Sequence, residues 1–319
     1  MFKNVMVYRI GPAWSATVEQ IEENLDKQRF APCGATQEQS IGWVEPRGIP
    51  NAPLIEAIGG HWMLKLQIEN KMVPASVVKR KAEEVAAHIE ATEGRKPGKK
   101  ERSDIRDNVL LELLPMAFTK ESSVLVWIDP AARLLVLNAG SQGRADTVMT
   151  CLMEAVPGLT VELLQTTVSP TVAMSDWLVT REAPAGFSID RECELKSTDE
   201  NKATVKYAKH PLDIDEVQQH IETGKVPTKL AMSWEGRVSF LLTDAFQLKK
   251  VNFLEGVFEK TSQEKEDKFD ADMAITTGEL RKLIPDLLEA LGGELVPGAA
   301  PTATAVTGAS SGADEGPPF

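Results

Sequence analysis

The sequence predicts an α+β fold in which mixed and antiparallel sheets carry helices and a projecting helical hairpin. Three stretches support that reading. Residues 219–254 read as a short helix, a lysine-bearing loop and a three-strand meander. Residues 61–69 alternate along a strand, with His61, Met63, Lys65 and Gln67 on one side and Trp62, Leu64, Leu66 and Ile68 on the other. Residues 74–120 read as two helices flanking a basic Gly/Pro loop.

In chain order, a strand at 2–10 precedes a helix near 17–29. Thr17 and Gln20 match a capping box there, and Val18, Ile21 and Leu25 share a face. After the strand at 61–69, Pro74 suits the first turn of a helix over 75–92. The basic loop 93–102 separates it from a second helix, 104–114, which stops near Pro115. The pair is expected to project from the sheet with a mobile basic tip. Strands at 124–129 and 134–138 surround the turn Asp129-Pro130, and a helix at 143–155 and a strand at 159–164 close the first half.

The second half begins with a helix near 171–180 and strands near 187–195 and 203–208. A helix at 214–223 follows, with Asp213 as its N-cap, Glu216 three residues later and Gly224 as its left-handed stop. The chain is expected to leave through Lys225 and Lys229. Leu230, Met232 and Trp234 then alternate with polar or small residues, and Glu235-Gly236 suits a two-residue hairpin turn. Ala271–Ile275 reads as a short strand. Thr276 and Glu279 would cap a last helix carrying Leu280, Leu283, Leu287 and Leu291, kinked at Pro285 and ended by Gly292. The implied organisation is a central α/β domain (1–73 with 121–165), a helical tip or finger insertion (74–120), a base α+β domain (166–295) and a low-complexity, disordered tail (296–319).

Composition narrows the function classes. A chain of 319 residues with 42% hydrophobic and 26% charged content is that of an ordinary soluble protein. No apolar run approaches the roughly 20 residues needed to span a bilayer, and the charged, alternating start is not a signal peptide. Cys33, Cys151 and Cys193 lack a CxxC spacing and read as buried, reduced thiols in the cytosol. His61, His88, His210 and His220 have no metal-ligand spacing, and neither a Walker loop nor a GxSxG motif occurs. The expectation is therefore a protein that is not an enzyme and uses no cofactor or metal. The acidic run Glu264, Glu266, Asp267, Asp270 and Asp272 could suggest a Mg²⁺-dependent nuclease, but it reads first as a solvated face.

A net charge of −12 is unusual for a nucleic-acid binder. Binding requires that positive charge be gathered on one surface. The segment 93–106 permits this with Arg95, Lys96, Lys99, Lys100, Arg102 and Arg106, although a solvated surface loop has the same composition.

The helix-and-meander segment 219–254, together with FKNVMVYRI (2–10), LPMAFTKESSVLVWID (114–129) and FDADMAITTGELRKLI (269–284), resembles the RdgC family of bacterial recombination-associated, DNA-binding proteins over roughly residues 1–295. The resemblance implies a homodimer whose curved subunits close into a ring around DNA. Such a ring binds double-stranded and single-stranded DNA without sequence specificity and restrains the RecA recombinase. It would be cytoplasmic and nucleoid-associated, with no membrane partner.

The candidate phosphate contacts on the helical hairpin are Lys79, Lys81, Arg95, Lys96, Lys99, Lys100 and Arg102. Lys120 follows at the corner after Pro115, where Met116 stands in place of the arginine of the family pattern. Phe118 at that corner is implied to meet its counterpart on the second subunit; simple packing against the preceding helix is the alternative. Lys209, Lys225 and Lys229 bracket the helix 214–223, and the resemblance puts Lys209 and His210 near the other subunit contact. Lys249 and Lys250 are expected on opposite faces of a strand. Two further functional classes are a module that binds the recombinase directly and the nuclease.

Overall fold

Two antiparallel sheets organise the chain in a computed structural model, which describes residues 1–254, 256–257 and 265–295, without the side chains of 265–267. The elements run β1 (Met6–Ile10), α1 (Val18–Asp26), β2 (Gln39–Val44), β3 (Ile55–Ile58), β4 (His61–Met72), α2 (Ala75–Glu93), α3 (Lys99–Leu113), β5 (Phe118–Asp129), β6 (Leu134–Leu137), α4 (Gln142–Ala155) and β7 (Val161–Leu163). They continue as α5 (Pro170–Thr180), β8 (Phe187–Ser197), β9 (Thr204–Ala208), α6 (Asp215–Glu222), β10 (Lys225–Trp234), β11 (Val238–Thr243), β12 (Leu248–Phe253) and α7 (Lys265–Ala290). All pairings between these strands are antiparallel. No helix among the described residues is long and apolar enough to cross a membrane.

The first sheet has the order β2-β4-β5-β6-β1-β7, with β3 also paired to β4. It is covered on both faces. Leu64, Leu66, Val124, Val126, Leu135 and Leu137 pack toward Ile21 and Leu25 of α1 and Val148 and Leu152 of α4. On the opposite face Val7, Met63, Trp127 and Val136 join the core of the second half. Burial on both sides explains why β5 ends, and β6 consists, in unbroken apolar runs rather than alternation. β5 is twice the expected length because it pairs with β4 from Trp62↔Ile128 out to Met72↔Phe118, forming a ribbon that leads to α2 and α3.

The second sheet, ordered β12-β11-β10-β8-β9, is covered on one face. Leu230, Met232, Phe240 and Leu242 pack with Met174 and Trp177 of α5, Val217 of α6 and Leu280, Leu283 and Leu287 of α7. The alternation of β10 is therefore that of a half-buried strand, as its sequence predicts. The turn after it carries positive φ at Glu235 (49°) and Gly236 (62°), closed by the Arg237 N–H donating to the Trp234 carbonyl at 2.8 Å.

Several expectations are corrected. The predicted strand Ala271–Ile275 and the predicted caps Thr276 and Glu279 all lie inside α7, which begins at Lys265. Met273, Thr277, Leu280, Ile284, Leu287 and Leu291 are buried at helical spacing, and five alternating residues do not separate a strand from a turn and a half of helix. Thr277 is accommodated because its hydroxyl donates to the Met273 carbonyl at 2.9 Å. α3 starts at Lys99 rather than 104, so the tip connection is only Gly94–Gly98. Helix α6 has Ile214, not Asp213, at its N-cap, with no side-chain cap. Gly224 (φ 92°) does stop that helix, but β10 begins at the next residue, so Lys225 and Lys229 are strand residues rather than loop residues. Cys193 is buried, whereas Cys33 and Cys151 are only half-buried. The tail 296–319 lies outside the described residues, as do Glu264 and the side chains of Glu266 and Asp267.

The two halves share more than a core. Val5 exchanges both backbone hydrogen bonds with Leu248 (2.8 and 3.0 Å), so residues 3–5 extend the β12 edge before the chain enters β1. Arg9 forms a forked pair with Glu294, and Arg47 links Glu56 (2.8 Å) to Asp270 of α7 (2.7 Å). Asp129 is fully buried at the same seam, with Arg281 Nε at 3.2 Å and His61 Nδ1 at 3.6 Å.

Candidate nucleic-acid interface

Helices α2 and α3 pack through a small core of their own, Ala82, Ile105 and Val109, with Val78, Ile89 and Leu113 beside it. So little apolar area leaves most of both helices exposed, and their cations fall into two groups. Lys79 meets Glu83 (3.9 Å), Lys81 meets Glu112 (2.8 Å), and Lys96 meets Glu90 (3.6 Å). Arg95 is held between Glu93 and Glu101, both at 2.7 Å. Arg102 donates through Nε to the Pro97 carbonyl (3.1 Å). Glu101 also accepts from the Gly98 N–H at the start of α3, which fixes the tip loop against Arg95. Lys99 and Lys100, in the first turn of α3, are exposed with no carboxylate partner among the described residues, and the same holds for Arg80 of α2 and Arg106 of α3. The positive end of the helix macrodipole also lies at that turn, which favours an anion there.

The β4–β5 ribbon adds Lys120, exposed and opposite Asn70. Phe118 is 86% exposed and opposite Met72; Met116 is 73% exposed, so the corner is an apolar projection rather than a packed ring. Arg144 of α4, which sequence reasoning did not single out, donates to Ser122 at 2.7 Å on the face of the ribbon that also carries Lys120.

In the second half Lys225 and Lys229 part company. A bulge between Pro227 and Lys229 reverses the strand's facing. Lys225 lies on the α6 side, with Nζ 3.2 Å from His220 Nδ1, so that nitrogen is the unprotonated acceptor. His220 and His210 both lie against the Tyr207 ring. His210 Nδ1 is 2.7 Å from the Pro211 carbonyl oxygen and therefore carries a proton. Lys209, at φ 56°, carries no ion pair among the described residues.

Lys229 lies on the opposite, open face. It and Lys206 each approach Glu194 at 3.0 Å from flanking strands, and Thr228 donates to the same carboxylate at 2.9 Å. Burial alone would raise that carboxyl, but these three donors outweigh it and hold it down at about 2. Lys250 has φ 52° and reaches Glu192 at 2.6 Å on this face, while Lys249 is the register partner of Leu241, also on this face. The expectation that Lys249 and Lys250 point opposite ways therefore fails, because an irregularity in β12 breaks the alternation. Among the described residues, no group of three or more His, Cys, Asp or Glu side chains is arranged to hold a metal ion.

Residues 1–294 match the family model described as "Putative exonuclease, RdgC". The chain is 40% identical over 301 residues to the recombination-associated protein RdgC of Dechloromonas aromatica, covering 92% of this chain and 98% of that one. It is 42% identical over 296 residues to the protein of the same name from Herminiimonas arsenicoxydans, and 39% identical over 296 residues to that of Bordetella pertussis, with the same coverage. The chain belongs to the RdgC family.

Proposed function

We propose, starting from membership of the RdgC family, that this protein binds DNA without sequence preference, closes around it as a ring-shaped homodimer and so restrains RecA-mediated strand exchange in recombination and replication. The observation that carries the reading is a set of exposed cations with no ion pair among the described residues. Among the described residues Lys99, Lys100, Lys120 and Lys209 are exposed and carry no ion pair, in a chain whose net charge is −12. Phosphates neutralised along such surfaces give affinity through counterion release, with no need for base contacts. The exposed corner at Met116 and Phe118 is the kind of apolar projection that anchors a subunit contact. Lys209 and His210 belong to a second contact, and one of the two must open to admit closed circular DNA. On this reading the protein acts at the nucleoid.

The family description names an exonuclease, and cleavage is the second reading. Binding without catalysis is preferred because Asp270 is engaged by Arg47 at the seam between the halves. Magnesium-dependent loss of end-labelled DNA that disappears in Asp270→Ala would favour the exonuclease.

The primary test is a salt series on random-sequence duplex DNA, comparing short linear with closed circular forms. Sequence-independent binding with a steep negative slope, and slower release from circles, is expected. Phe118→Ala should shorten retention on circles without altering affinity for short linear DNA. Absence of binding even at low salt would leave a direct contact with the recombinase as the better reading.

A further inference from the structure

The open face of the five-stranded sheet has a charge arrangement that the tip lacks. Helices α5, α6 and α7 all pack on the other side, and among the described residues no helix covers this one. Its lysines come from four strands: Lys196 on β8, Lys206 on β9, Lys229 on β10, and Lys249 with Lys250 on β12. Three carboxylates stand among them on β8: Glu192, Glu194 and Asp190, which accepts from the Ser233 hydroxyl at 2.7 Å. Five cations against three anions leave the face positive in a chain that is acidic overall.

The position of the carboxylates is informative. Glu194 is opposite Lys206 on one side and Lys229 on the other in the strand register, and both ammonium groups close on it at 3.0 Å. It thus presents two oxygens to the two cations much as a backbone phosphate would. Glu192 does the same for Lys250 at 2.6 Å. The side chains of Lys206 and Lys250 are 69% and 64% exposed, so a strand of DNA laid on the sheet would meet cations already engaged by carboxylates.

We propose that this open face is a DNA-phosphate surface and that Glu194 and Glu192 are built-in competitors, which lower its affinity by occupying Lys206, Lys229 and Lys250. The inference rests on the DNA-binding reading and adds to it which face is used and how its strength is set. A phosphate arriving at Lys206 or Lys229 exchanges one charge-assisted pair for another, so these lysines yield less affinity than unengaged ones. The attenuation is constant across physiological pH, because a carboxyl held at about 2 stays ionised throughout. A ring that must move along DNA and let go of it is served by such a surface.

The test is Glu194→Gln, which keeps the side-chain length and an acceptor for Thr228 while removing the charge. Binding to random-sequence duplex is expected to tighten about five- to tenfold near 0.1 M salt, with the slope of log affinity against log salt steeper by roughly 0.9 for each lysine released. Glu192→Gln, at a more exposed position, should act in the same direction with a smaller effect and serves if the first variant misfolds. Adding Lys206→Ala and Lys229→Ala to Glu194→Gln should abolish the gain. Unchanged or weakened binding in both glutamine variants, on DNA that the wild type binds, overturns the proposal while leaving DNA binding itself intact. A wild type that binds no DNA removes the underlying reading instead.

Discussion

The seven-stranded sheet is buried on both faces and the five-stranded sheet on one, and the two carry different kinds of information. In the first, nearly every inward position of β4, β5 and β6 is apolar, and substitutions there are felt as stability. In the second, every strand but β11 divides its residues between a core face and a face that carries lysines or glutamates. Ion pairs on such an exposed face contribute little to folding, so the side chains there are available for a partner.

The sharpest way to break that comparison is one substitution in each sheet. Trp127→Ala removes a fully buried ring packed edge-on to Phe2 and should cost about 3–5 kcal/mol, read from the urea midpoint. Lys249→Ala should stay within about 0.5 kcal/mol. A large loss at Lys249 would mean that the open face is built into the fold after all.

A smaller effect is expected at the seam between the sheets. Burial holds the His61 imidazole below its ordinary 6.5, outweighing the attraction of Asp129, while Arg281 pushes the same way as burial. The unfolded chain therefore takes up this proton more readily than the folded one. Stability contributed here is present above pH 6.5 and is lost as pH falls below it. The melting temperature of the wild type should drop between pH 7 and 5.5, and His61→Gln should flatten that drop. An equal slope in the variant would assign the acid loss elsewhere, and Glu194 and Glu279, both held below the usual carboxylate range, remain ionised in that window.

The smallest effect on stability, and a large one on binding, is expected at the tip. Lys99→Ala with Lys100→Ala should leave the melting temperature unchanged and reduce the salt slope by up to about 1.8. Lys79→Ala with Lys81→Ala should reduce it less, because Glu83 and Glu112 already engage those side chains. Equal effects from the two pairs would show that the local ion pairs do not matter.

Legibility in the sequence followed the same division. The alternation of Leu230, Met232 and Trp234, the Thr17–Gln20 capping box and the Gly224 stop were visible because each depends on neighbours within a few residues. Irregularities in pairing were invisible. The bulge that separates Lys225 from Lys229, and the one that brings Lys250 to Glu192, arise from the register against other strands. The start of α7 was missed because Ala271–Ile275 fits both periods over so short a span. At the candidate site, the cations of the tip could be named from composition. Which of them are free could not, since Lys81–Glu112 joins residues 31 apart and Glu194 is flanked by partners on two other strands.

The closure of residues 3–5 on β12 bears on the order in which the molecule is made. Leu248 leaves the ribosome some 240 residues after Val5, and the Arg9 partner, Glu294, later still. At ordinary rates of translation that interval is on the order of tens of seconds. During it β1 can pair only with β6 and then β7, and the edge that will receive β12 stays open. Assembly of the second half onto the first must therefore wait until β12 and Glu294 have been made, and a nascent chain stalled before that point would expose the apolar side of Trp127 and Val136.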